Sequence, residues 1–147
     1  MLNTLRKRLQ GEEGFTLVEL LVVILIIGIL AAIAIPSFLN QKGKGEDAAA
    51  KSSAREAATA METYYTDNAS YGATGAQLRG IEPTLPQDGA GAGQMTVGVV
   101  TGGYTITVTS KPSLRTYTIT KDGSGVSRSC TVPASTDRGG CNASGSW

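Results

Sequence analysis

Histidine is absent from the chain. That excludes a Ser-His-Asp triad, a histidine general base and a zinc enzyme of the usual kind. Aromatic residues make up only 5% of the sequence, so a core must rely on aliphatic and small side chains. Neither charge sign dominates: 13 Lys and Arg stand against 12 Asp and Glu, a net charge of +1. A dedicated nucleic-acid binder normally carries a concentrated basic excess, which is missing. Only two cysteines occur, Cys130 and Cys141, and their C-x10-C spacing suits neither a metal site nor a C-x-x-C redox centre. The pair suits one disulfide in an oxidising compartment. With 147 residues the chain has room for one modest domain.

What is present is unevenly spread. Residues 15–35 read FTLVELLVVILIIGILAAIAI, an apolar run with a single charge, Glu19. As a helix it would reach roughly 31 Å, enough to cross the hydrocarbon core of a bilayer. Arg6, Lys7 and Arg8 precede the run, as in a secretory signal, but the run is too long for one and the small residue, Gly14, lies before it. A plain membrane anchor fits the length equally well. Lys42, Lys44, Lys51 and Arg55 follow the run, so counting basic residues does not orient it. The cysteine pair does, placing the N-terminus in the cytoplasm and the remainder outside.

Glu19 separates the readings. A carboxylate deep in a bilayer costs about 2.5–3.5 kcal/mol on insertion scales, so it calls for a partner unless it lies near the interface and stays solvated. Cutting the chain after Gly14 would give Phe15 a free ammonium four residues before Glu19, one helical turn away on the same face. That ammonium could neutralise Glu19 in its own chain or in a neighbour.

The string Gly14-Phe15-Thr16-Leu17-Val18-Glu19-Leu20, directly before a membrane-length apolar run, resembles the processing site of type IV prepilins and pseudopilins. The likeness covers about residues 6–40, including the short basic leader, Gly28 and Pro36. It implies that a prepilin peptidase cuts between Gly14 and Phe15, that Phe15 is N-methylated, and that Glu19 meets the Phe15 ammonium of a neighbouring subunit to set axial register. Methylation keeps the ammonium charge, so the ion pair survives it. The resemblance further implies a short-leader, type IVa-like pilin. Such a chain is held in the bacterial cytoplasmic membrane as a single-pass precursor, then assembled as a homo-oligomeric helical filament at the cell surface. Its partners would be the peptidase, an assembly platform and cytoplasmic ATPases. Gly28 and Pro36 would be points where the helix unwinds on packing.

Helical spacing continues through Ala50, Ala54, Ala57, Ala58, Met61 and Tyr65, with Asp47 and Lys51 as an exposed i,i+4 pair. One helix to about Ala69 would be roughly 80 Å long, longer than a globule of this size needs, so its apolar half would project. Pro36 favours a kink. Residues 69–93 are rich in Gly and Pro and read as loop. Four strands follow, at residues 95–100, 104–110, 116–120 and 126–132; Tyr104, Ile106 and Val108 share one face, with threonines opposite. The expected fold is α+β, a long N-terminal helix packed through its small alanines on an antiparallel sheet of about four strands, as in type IV pilins. The expected segments are a cleaved leader, residues 1–14; a membrane or filament-core helix, 15–42; the rest of the helix, 43–69; a connecting loop, 70–94; and a sheet with a disulfide loop, 95–147. Closing that loop would contribute nearly 3 kcal/mol in the chain-entropy picture.

No cofactor or metal is expected. Asp122-x-Ser124 resembles a fragment of a calcium loop but lacks the further acidic ligands, so it reads as a turn. Asn68-Ala69-Ser70 and Asn142-Ala143-Ser144 match the glycosylation sequon, a short pattern common by chance. Lys111, Arg115, Lys121, Arg128 and Arg138 outnumber Asp122 and Asp137, which weakly favours DNA or a solvated strand face. The leading expectation is a non-enzymatic pilus subunit serving adhesion, motility or DNA uptake. The alternative is a pseudopilin of a type II secretion system. A membrane-anchored enzyme or receptor is disfavoured by the missing histidine and carboxylate clusters.

Overall fold

A computed structural model describes residues 15–111, 113–131 and 139–147. The expected leader with Gly14, the strand residue Val132, and Asp137 and Arg138 lie outside the described residues. Contacts divide the chain into two units, Met1–Leu39 and Asn40–Trp147.

Helix α1 spans Leu17–Asn68 and remains helical through Gly28, Pro36, Gly43 and Gly45. Pro36 therefore lies inside the helix: it removes one backbone bond, and the surrounding turns carry the helical assignment across it. In the first unit every described side chain is exposed except that of Ala31, which is half-buried. An 18-residue window of α1 reaches a mean hydropathy of 3.1, long and apolar enough to cross a membrane. The helix ends at Asn68, whose Nδ2 donates to Tyr64 O at 2.9 Å, and Ala69 turns into the left-handed region at φ 50°.

In the second unit, α1 buries Asp47, Ala50, Ala54, Ala57, Ala60 and Met61, one stripe at helical spacing. The small alanines meet Met95, Tyr104, Ile106, Val108, Tyr117 and Ile119 on one face of the sheet. The expected stripe included Tyr65, which is instead exposed and stacks on Tyr71 with ring centroids 4.3 Å apart. Ala60 completes the buried face.

The sheet has five strands in the order β1 (Gln87–Asp88), β2 (Gln94–Val100), β3 (Gly103–Thr109), β4 (Thr116–Asp122) and β5 (Gly125–Thr131). The last four form the expected antiparallel meander, and β1 adds a short parallel edge. Inward Tyr104, Ile106 and Val108 alternate with outward threonines that pair across strands: Thr107 and Thr118 hydroxyls lie 2.8 Å apart. As expected, Asp122 makes a turn, its Oδ1 accepting from Ser124 N at 2.8 Å. Cys130 and Cys141 form a disulfide.

The segment read as loop contains helix α2, Gly75–Ile81. Thr74 and Gln77 form a capping box: Gln77 N donates to Thr74 Oγ1 at 3.3 Å and Thr74 N donates to Gln77 Oε1 at 2.8 Å. At seven residues the helix is too short for periodicity to reveal among the flanking Gly and Pro.

Two polar clusters join helix and sheet. Asp47, expected in an exposed pair with Lys51, is 1% exposed. Its Oδ1 accepts from Ser110 Oγ at 2.7 Å and Ser113 Oγ at 2.8 Å, and its Oδ2 pairs with Arg115 Nη1. Those partners come from the β3–β4 connection, which local spacing cannot foresee. Lys51 turns away and donates to Gly140 O at 3.2 Å. Farther along α1, Glu62 takes both oxygens to Lys121 Nζ at 2.9 Å and accepts from Tyr104 OH at 3.1 Å and Tyr71 OH at 3.2 Å. The hydrogen bonds to Glu62 and Tyr71 raise the Lys121 ammonium above its ordinary value, and burial followed by Glu62 raises the Tyr104 phenol.

Replacing Asp47 by Ala removes the buried carboxylate that pairs with Arg115 and accepts from Ser110 and Ser113. Denaturant unfolding of the detergent-solubilised chain should show a loss of about 3–5 kcal/mol. Because the Lys121 pKa is raised on folding, its stabilisation is fully present below its ordinary value of 10.5 and fades as pH climbs through the folded value. Thermal melts of Lys121→Met should therefore trail the parent by a constant margin from neutral pH to about 10.5 and by a shrinking one above it.

Candidate functional site

The start of α1 is shaped by its own side chains. Thr16 sits immediately before Leu17, and its Oγ1 accepts from Glu19 N at 3.2 Å. Glu19 reaches back, its Oε2 accepting from Thr16 N at 2.9 Å and from Thr16 Oγ1 at 2.8 Å. This reciprocal capping box satisfies two helix-end donors and holds the carboxylate against the first turn. Glu19 Oε1 has no hydrogen bond among the described residues. Phe15, 84% exposed, precedes the box. The expected partner for Glu19 is an ammonium; the single chain supplies Thr16 instead. Its role is not among the expectations drawn from sequence, although S/T-x-x-E is the signature of such a box.

Gly28 has nothing within 4 Å of the place a Cβ would occupy. With Leu21, Ile24, Leu25, Ile29 and Ala32 it forms an open apolar notch on the helix surface. Small residues of this kind let a second helix approach closely. Pro36 lies within the same exposed helical stretch.

In the second unit, the disulfide ties the chain end beside β5. Cys130 N donates to Gly145 O at 2.7 Å and Trp147 Nε1 to Ser129 O at 2.9 Å. This seats the indole among cations: the Arg55 guanidinium lies 5.0 Å from its ring centroid, Arg128 5.7 Å and Lys51 Nζ 6.0 Å. Tyr117 meets the indole edge-on at 5.8 Å. Such contacts contribute about 0.5–2 kcal/mol each. The described basic residues counted from sequence do not act together. Arg115 is buried against Asp47 and Lys121 is held by Glu62, while Lys51 and Arg55 join Arg128 from the helix. Neither sequon asparagine is idle: Asn68 caps α1 and Asn142 Nδ2 donates to Ser146 Oγ at 2.7 Å. Among the described residues no cluster of three or more metal-ligating side chains occurs.

Residues 9–35 match the prokaryotic N-terminal methylation motif. Residues 36–133 match a family described as type IV minor pilin ComP, DNA uptake sequence receptor. Similar proteins include the type IV major pilin protein PilA of Myxococcus xanthus, 41% identical over 60 residues that cover 41% of this chain and 27% of that one. The type IV wide pilus major component PilA4 of Thermus thermophilus is 40% identical over 70 residues, covering 48% and 53%. The type II secretion system core protein G of Escherichia coli is 38% identical over 77 residues, covering 51% and 53%. The chain thus spans about half or less of the length of these curated relatives. No solved structure matches it. A single long helix with an apolar first part, an alanine stripe under a meander sheet and a family match over most of the chain agree: the chain belongs to the type IV minor pilin ComP family and carries a prokaryotic N-terminal methylation motif.

Proposed function

We propose that the chain is a structural subunit of a type IV pilus. The precursor is held in the bacterial cytoplasmic membrane by residues 15–42 with its N-terminus inside. A prepilin peptidase cuts between Gly14 and Phe15, Phe15 is N-methylated, and an assembly platform driven by cytoplasmic ATPases moves the subunit into a filament. The supporting observation is the pairing of the methylation motif with one carboxylate, Glu19, in an otherwise uncharged and exposed apolar helix. That surface needs lipid or other copies of itself as solvent. In a packed core, Glu19 Oε1, left open by the Thr16 box, takes the ammonium of a neighbouring Phe15. The notch at Gly28 admits an adjacent helix, and the stretch from Gly28 to Pro36 loosens on packing, where a missing backbone bond and a missing side chain already weaken it.

Relatives named as type II secretion core proteins support the pseudopilin alternative. The family match beyond residue 36 favours the pilus. Intact-mass analysis of chain recovered from cells should find a mature form that begins at methylated Phe15. Glu19→Ala should enter the membrane normally yet give roughly a tenth or less of the parental sheared filament, because the neighbour's buried ammonium loses its counter-ion. Parental yield from this variant would refute the register role.

A second reading, DNA capture, draws on the Trp147 cluster and on the family's description as a DNA uptake sequence receptor. Lys51, Arg55 and Arg128 gathered around one indole form a cluster of phosphate-neutralising charge. Arg55→Ala and Arg128→Ala should each weaken duplex binding by the detergent-solubilised chain and make its salt dependence shallower by about one counter-ion.

A further inference from the structure

Among the described residues, the meander leaves open backbone at both sides. β2 is paired with β1 only at Gln94 and Met95, and Met95 O accepts from Gly89 N at 2.9 Å on that side. Successive residues of a strand direct their backbone groups to alternate sides, so Val97 and Val99 turn N–H and C=O the same way as Met95. No described residue bonds them there. A groove of about 460 Å³ runs along this edge, walled by the loop around Gly72 and Gly75.

β5 repeats the pattern. Cys130 N uses its outer side to donate to Gly145 O, so Val126 and Arg128 also present N–H and C=O outward, without a partner among the described residues. Each edge therefore offers two donors and two acceptors. Open edges are normally blunted by charge, proline or a bulge. Residues 96–100 read TVGVV, with neither charge nor proline, and β5 has only Arg128.

The side chains match as well. Register places Val99 beside Tyr104, Tyr104 beside Lys121 and Lys121 beside Val126. Val99 and Val126 are thus the two ends of a single cross-strand row on the helix-facing side of the sheet. They are 66% and 60% exposed, among the most exposed large apolar residues of the Asn40–Trp147 unit.

We propose that the open edge of β2 in one copy pairs with the open edge of β5 in the next, with Val97 opposite Arg128 and Val99 against Val126. Three successive antiparallel pairings make β2 and β5 run in opposite directions, so two copies in the same orientation meet antiparallel. The meander then continues from copy to copy. The contact joins two different surfaces, and such head-to-tail contacts propagate into open helical assemblies unless the rotation closes. The second copy is the favoured occupant because one chain carries both complementary edges and both exposed valines. This pairing rests on the pilus-subunit reading for the shared orientation of the copies.

Val99→Pro and Val126→Pro each delete one outward N–H while sparing the ladder within the sheet, since proline is tolerated at such edge positions. In cells making full-length chain, both should leave the mature, disulfide-bonded membrane pool unchanged and cut sheared filament yield roughly tenfold. Val99→Thr, which keeps the N–H, should assemble at near-parental yield. A chain carrying Val99→Cys and Val126→Cys, treated as filaments with a short bifunctional thiol reagent, should give a ladder of covalent multimers. Parental yields from both proline variants, or filaments of the cysteine pair without multimers, overturn the pairing alone. A parental chain that makes no filament overturns the pilus reading and the pairing together.

Discussion

The governing constraint is an apolar helix surface that water cannot solvate and that carries one carboxylate. From Phe15 to Leu39 nearly every side chain is exposed, and Glu19 is the only charge among them. Lipid satisfies the apolar surface but not the acid; in the proposed filament, other copies of the helix would satisfy the apolar surface and a neighbour's ammonium the acid. The Thr16 box occupies one carboxylate oxygen. Glu19 thus has one oxygen held within its own chain, and on the proposed reading the other is kept for a partner. Membrane residence and assembly then follow from one balance between two apolar solvents.

The Asn40–Trp147 unit solves a different problem, making a rigid body from few aromatics. Alanines at helical spacing on α1 pack in one core with the side chains of β3 and β4, and Tyr104 and Tyr117 fill the space that larger helix residues would take. Asp47 and Glu62 fix the helix to the sheet at two levels through charge-assisted bonds. The disulfide and Trp147 hold the far edge near β5. Rigidity of this kind suits the proposed filament subunit, whose edges and cation cluster would have to keep their relative positions.

Patterns carried by consecutive residues were legible in the sequence. The apolar run, the alternation of β3, the turn at Asp122 and the alanine stripe all follow from periodicity and turn chemistry, and the Gly14-to-Glu19 string carried the family. What depended on distant residues was not legible. Asp47 reads as a surface acid beside Lys51 until the β3–β4 connection folds Ser110, Ser113 and Arg115 onto it. Trp147 acquires its cations only when the disulfide draws the chain end across α1. The short helix at Gly75 was within reach, since Thr74-x-x-Gln77 is a capping signature, but the surrounding Gly and Pro outweighed it.

The most direct measurement concerns the pairing of Glu19 with the N-terminal amine. Filaments grown from a mixture of subunits, half labelled with 15N at Phe15 and half with 13C at the Glu19 carboxyl, allow dipolar recoupling to detect contacts between chains only. The expected result is an intermolecular N-to-carboxyl distance within salt-bridge range, about 4 Å or less. Well-formed filaments without that coupling would contradict the pairing of Glu19 with a neighbour's amine.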